Sequence, residues 1–209
     1  MMDILELLGH VGKTEEKDKI SYSAGVVMAL SLKDIGFDEI KYEDFVDGMQ
    51  SVFEKSNSKI SPKRSIEIFN NYVALLQEEL KISNAEIGKT FLDKNAKKEG
   101  IVSLPSGLQY EVLAEGNGNI PKRNDTVNVI YEGYLLNKNV FDSTKDSGAQ
   151  QMKVLQTIAG WQEALQLMPE GSRWKVYIPH HLAYAEIGAP PMIQPNSTLV
   201  FIIELLNIV

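Results

Sequence analysis

The chain of 209 residues contains no cysteine. That excludes a disulfide framework, a thiol nucleophile and any thiolate metal site. Histidine is nearly as scarce. Only His10, His180 and His181 occur, and neighbouring side chains on an extended segment point to opposite sides, so the adjacent pair is poorly placed to share an ion. No metal and no cofactor are expected. Basic charge is in short supply too, with 28 acidic against 21 basic residues and a net charge of -7. Neither a nucleic acid nor an anionic membrane surface has an electrostatic footprint to read. No apolar run approaches the ~18 residues that a membrane span requires. Met1 to Gly12 lacks the basic start and long apolar centre of a signal peptide. The chain as it stands is therefore expected in the cytoplasm, and in a periplasmic or other extracytoplasmic compartment if a leader was removed ahead of residue 1.

What is present divides near residue 100. Residues 1–100 hold one proline, Pro62, and no tryptophan, whereas 101–209 hold seven prolines and both tryptophans, Trp161 and Trp174. In the first part apolar residues recur at three- and four-residue steps. Ile20, Ala24, Val27, Met28 and Leu32 predict a helix over about 17–35, stopped at Gly36. Phe45, Met49, Val52 and Phe53 predict a second. Ser61-Pro62 is an N-cap followed by proline at the first helical position, and the pattern behind it runs through Ile66, Phe69, Val73, Leu76, Leu80, Ile87, Phe91 and Ala96. As one helix this segment would reach roughly 55 Å, longer than a small domain needs. Such a helix must pack along its length or act as a spacer, and two shorter helices cannot cover it, so a homodimer through residues 1–100 is expected. The alternative is a compact three-helix bundle with a break near Ser83.

The second part loses the helical period. Val127, Val129 and Tyr131 alternate with polar residues, as do Trp174, Val176 and Ile178, and Thr198 to Val209 is a long β-prone run. Only Gly160 to Met168 reads as a short helix. The fold class is α+β: an all-helical domain over 1–100 ending in a long helix, then over 101–209 a twisted antiparallel sheet wrapped on one short helix.

Within that second domain stand Ser106-Gly107-Leu108-Gln109-Tyr110, Val129-Ile130-Tyr131-Glu132-Gly133, Val140-Phe141-Asp142-Ser143-Thr144, Ile158-Ala159-Gly160-Trp161, Met168-Pro169-Glu170-Gly171, Leu182-Ala183-Tyr184 and Ile193 through Phe201. In order and spacing these resemble the FKBP-type peptidyl-prolyl cis-trans isomerases. Ile20 to Gly25, Phe45 to Met49 and Phe91 to Ala96 resemble the helical domain of the macrophage-infectivity-potentiator-like subgroup, in which the helices dimerise and the long helix carries each catalytic domain.

The resemblance implies rotation about X-Pro peptide bonds of unfolded or partly folded polypeptides, and possible inhibition by a macrolide. It implies Asp142, Tyr184 and Trp161 as catalytic residues, with Trp161 beneath the proline ring. Tyr131, Phe141, Met152, Thr157, Ile158, Ile193 and Phe201 would bind substrate, and the Tyr184 hydroxyl and Ile193 N–H would each hold a peptide carbonyl. The chemistry is compatible with what the sequence lacks, because no bond is broken and no nucleophile is needed. A second function from the same residues is a dimeric, chaperone-like binding module with weak or no isomerase activity. Met152, Thr157, Ala164, Ala185 and Gln194 depart from the family pattern. Ala185 is the sharpest departure, since glycine at that place points to a positive φ.

Overall fold

A computed structural model describes residues 14–209 except Asn57, with side chains from Glu16 onward. His10 and the Met1–Gly12 segment lie outside the described residues.

Three helices come first: α1, Thr14–Asp34; α2, Tyr42–Phe53; and α3, Pro62–Asn95. Gly36 ends α1 with φ +95° and an N–H to the Lys33 carbonyl, a left-handed stop that glycine adopts without strain. Ser61 caps α3, its Oγ accepting from the Arg64 N–H at 3.4 Å. The α3 segment stays helical for 34 residues. The break considered near Ser83 is absent, because Ser83 and Asn84 weaken helix propensity by only a few tenths of a kcal/mol each, too little to interrupt a helix that is packed beyond that point.

Packing divides the chain within α3, into one unit ending at Gln77 and another spanning Glu78–Val209. In the first, Phe37 stacks on Phe69 at 5.6 Å and meets Tyr72 edge-on at 5.0 Å. Yet no described side chain from Glu16 to Gln77 is buried.

The second unit is built on strands β1, Ile101–Ser103; β2, Gln109–Ala114; β3, Thr126–Leu135; β4, Val140–Ser143; β5, Gln150–Lys153; β6, Arg173–Ile178; and β7, Leu199–Ile208. The helix α4, Ala159–Leu165, lies between β5 and β6 in sequence. The sheet is antiparallel in the order β1-β2-β6-β7-β3-β4, with β5 also pairing β3. β4 and β5 therefore follow one another along the same edge of β3, one pairing residues 132–134 and the other 126–129. Along β3 burial alternates strictly, so Val127, Val129 and Tyr131 face inward. They pack with Val176 and Ile178 of β6, Ile203 and Leu205 of β7, and Ala164 and Leu165 of α4. Each such aliphatic side chain contributes about 1.5–3 kcal/mol on removal from water.

The C-terminal turns of α3 belong to this unit through buried polar contacts. Asn95 is fully buried and donates to Gln109 Oε1 at 3.0 Å, while Gln109 Nε2 donates to the Leu92 carbonyl at 2.9 Å. At Gly88 an added Cβ would fall on Thr198 Oγ1, so only glycine allows this approach of helix and loop.

Candidate active site

Strand alternation aims Tyr131 into the sheet's concave side, and α4 begins with its second and third residues, Gly160 and Trp161, against the same surface. Gly160 admits Ile178 where any side chain would collide with it, which lets α4 lie close enough for Trp161 to form a floor. The Trp161 ring is 3% exposed. It meets Tyr131 edge-on at 5.1 Å and Phe201 edge-on at 5.2 Å, and Phe201 meets Phe141 edge-on at 5.5 Å. Perpendicular rings set positive edges against negative faces, so the box is held by electrostatics as well as by buried area.

The result is a cavity of about 460 Å³, within the usual size of small-ligand clefts. It is lined by Tyr131, Phe141, Asp142, Met152, Thr157, Ile158, Trp161, Tyr184 and Phe201 from the sequence-based set. Gln151, Lys153 and Gln156 also line it. Nothing in their residue types marks them out. Their place follows from β5 and the turn Val154–Gln156 running along the cavity edge, a placement set by pairing with β3.

Ile193 stands apart. It is 4% exposed, packs in the core and does not line the cavity. Its N–H, expected from sequence to hold a substrate carbonyl, donates to the Ala189 carbonyl at 3.0 Å, and Ala189 returns a bond at 2.8 Å. The reciprocal bridge closes the loop on itself and occupies that donor. Ile158 offers another. It precedes α4 with extended backbone, φ -63° and ψ 154°, and its N–H makes no hydrogen bond among the described residues. The Thr157 hydroxyl donates to the Val154 carbonyl at 2.8 Å, and the residue lines the cavity.

At the polar end the Tyr131 hydroxyl donates to Asp142 Oδ2 at 2.6 Å. Burial, and then the Asp142 carboxylate, push the Tyr131 phenol well above its ordinary value, so it remains a donor throughout the physiological range. Asp142 is itself solvent-exposed. Tyr184 is 40% exposed at the rim. The residue after it, Ala185, has φ +48°, the left-handed conformation expected there from the sequence. Its N–H donates to the His180 carbonyl at 2.9 Å and its carbonyl accepts from the Asn196 N–H at 2.8 Å, bonds that offset a strain of about 1–2 kcal/mol.

Residues 118–206 match the family model of the FKBP-type peptidyl-prolyl cis-trans isomerase, and residues 17–112 match that of the domain amino terminal to it. The "Outer membrane protein MIP" of Legionella longbeachae is 40% identical over 213 residues, an alignment covering 93% of this chain and 87% of the relative. This chain belongs to the FKBP-type isomerases. The "FKBP-type 22 kDa peptidyl-prolyl cis-trans isomerase" of Escherichia coli is also 40% identical, over 90% of this chain and 93% of that protein. The crystal structure of FkpA from Escherichia coli matches with a TM-score of 0.72 and 31% identity, covering 94% of this chain and 97% of the other. The chain is accordingly a peptidyl-prolyl cis-trans isomerase that assists protein folding, acting on proline-containing polypeptides. Among the described residues no helix is long and apolar enough to cross a membrane.

Proposed function

We propose that isomerisation takes place in the aromatic cavity by desolvation and hydrogen bonding, without covalent catalysis. The observation that carries this reading is the box of Tyr131, Trp161 and Phe201 under an open mouth, an aromatic surface on which a five-membered ring can lie. The planar X-Pro amide has a rotational barrier of ~18–20 kcal/mol and keeps it through resonance, which separates charge. Twisting the bond removes that resonance and makes the amide less polar, so a cavity that excludes water favours the twisted form over the planar one. Trp161 supports the proline ring. The Tyr184 hydroxyl and the Ile158 N–H hold the flanking carbonyls, and the Asp142–Tyr131 pair presents a fixed dipole beside the rotating one. A lowering of about 6 kcal/mol corresponds to ~10⁴-fold, within reach of desolvation plus a few hydrogen bonds. A prolyl-isomerisation assay on the purified chain tests it. Asp142→Ala and Trp161→Ala should each lower kcat/KM by at least an order of magnitude, and unchanged rates for both would sink the site assignment.

The working unit in this reading is a homodimer through the N-terminal helices. Tyr22, Val27, Val52 and Phe53 are 77%, 62%, 67% and 85% exposed, and a helical unit with no buried side chain among its described residues gains its core from a second copy. Light scattering on the full chain should give twice 23.4 kDa. The same cavity would accept a macrolide. Binding should quench Trp161, while Trp174, stacked on Tyr110 at 4.1 Å outside the cavity, should be unaffected. Likeness to a relative named as an outer membrane protein supports an extracytoplasmic site of action, which cell fractionation would decide.

A further inference from the structure

The loop from Tyr184 to Asn196 starts at the cavity, which Tyr184 lines, and its base is held by a helix that supplies no residue to the cavity. Both ends of that base are in the left-handed conformation, Ala185 at φ +48° and Asn196 at φ +54°, and the Asn196 N–H to Ala185 carbonyl bond joins them at 2.8 Å. From α3, Asn84 Nδ2 donates to the Pro195 carbonyl at 2.8 Å. In the other direction, Asn196 Nδ2 donates to the Lys81 carbonyl at 3.1 Å. One turn on, Gly88 takes Thr198 against the helix backbone. Positions 81, 84 and 88 follow one face of α3, so the helix grips the loop base at three successive levels. Asn196 is 8% exposed and Pro195 is buried as well, which makes these bonds costly to lose.

We propose that Asn84 and Asn196 are positioning residues for catalysis: by anchoring the Pro195–Asn196 turn, α3 sets Ala185 and hence the place of the adjoining Tyr184 hydroxyl over the cavity. The route is short. Lys81 and Asn84 fix the turn, the turn's N–H fixes the Ala185 carbonyl, and the next residue back is Tyr184. Ala185 makes the anchor necessary, because alanine, unlike glycine, leaves the left-handed region when unrestrained. The long helix thus contributes to the chemistry of the site in addition to linking the two units.

This rests on the reading that Tyr184 holds a substrate carbonyl, and the test separates the two. Asn84→Ala keeps a good helix former at an α3 position outside the cavity, and Asn196→Gly keeps the left-handed backbone and its N–H. Each is made in the full chain, alone and with Tyr184→Phe, and kcat/KM for X-Pro peptides is measured well below each variant's melting temperature. The expected result is a loss of about 3- to 10-fold from either single substitution, the range set by one hydrogen bond, shrinking to under about 2-fold in the Tyr184→Phe background, where the group being positioned is gone. Equal losses in both backgrounds, or none in the wild type, would overturn the positioning role while leaving Tyr184's own role intact. Full activity of Tyr184→Phe alone would overturn the substrate-binding role of Tyr184 and the proposal with it.

Discussion

Replacing Gly133 with alanine would put a methyl group where two aromatic rings already sit. Gly133 lies on β3 opposite Asp142 of β4 and Phe201 of β7. A Cβ there would come within 2.6 Å of Phe201 Cε1, 2.8 Å of Phe141 Cζ and 2.9 Å of Phe141 Cε2. Carbon atoms in contact prefer about 3.5–4.0 Å, so each ring must yield by roughly 0.7–1 Å. Phe201 has nowhere to go, being 5% exposed and flanked edge-on by Trp161. Phe141 is half-buried at the mouth and has the open cavity on one side, so it should swing inward. Overpacking of this kind costs about 1–3 kcal/mol, and the gain from replacing a strand glycine offsets about 0.5–1 kcal/mol, leaving about 1–2 kcal/mol. For a chain of this size that is a fall in melting temperature of roughly 2–8 °C. The displaced ring would occupy substrate space, so kcat/KM should fall about 10-fold, chiefly through KM. Calorimetry and the isomerisation assay on one preparation measure both. A Gly133→Ala chain that melts like wild type would refute the steric reasoning, and one that is destabilised but kinetically normal would refute the inward swing.

Gly88→Ala should lower the melting temperature in the wild type and do so much less in a Thr198→Ala background, where the hydroxyl is gone, the Cβ at 3.3 Å must yield by only a few tenths of an ångström, and the helix-propensity gain of about 1 kcal/mol acts in favour; the four chains' thermal unfolding curves decide it. Met152→Phe should raise kcat/KM about 2- to 5-fold by replacing a flexible wall with a rigid one, and a fall would mean that the cavity has no room for the ring. The imidazole of His180 has a buried Nδ1 without a partner among the described residues, and burial first, then the charge of His181, hold its pKa below the ordinary 6.5. The unfolded chain therefore binds this proton more readily, and stability should decline as pH falls from about 7 through 6.5 towards the lowered value. His180→Gln should flatten that part of the denaturation midpoint against pH, and an unaltered slope would remove His180 as its source.

Residue pattern determined the helical part and the sheet, and resemblance to a known family supplied nine of the twelve residues that line the cavity. Those signals are local. Apolar spacing follows helix and strand periods whatever the chain later packs against, and Tyr131, Phe141, Asp142, Trp161 and Tyr184 sit in short runs whose order survives in the sequence. The positive φ of Ala185 was legible only through the resemblance, since alanine by itself does not announce a left-handed backbone.

Tertiary structure decided what depends on partners distant in the chain. Gln151, Lys153 and Gln156 reach the cavity because β5 lies along β3, and even the short bonds from the Ile193 N–H to Ala189 and from the Thr157 hydroxyl to Val154 depend on how the fold holds those two turns. Asn84 and Asn196, 112 positions apart in sequence, share one polar anchor only because Gly88 lets the helix come close to Thr198. A hydrogen bond has no sequence period, and its partners are known only when the backbone has brought donor and acceptor within about 3 Å.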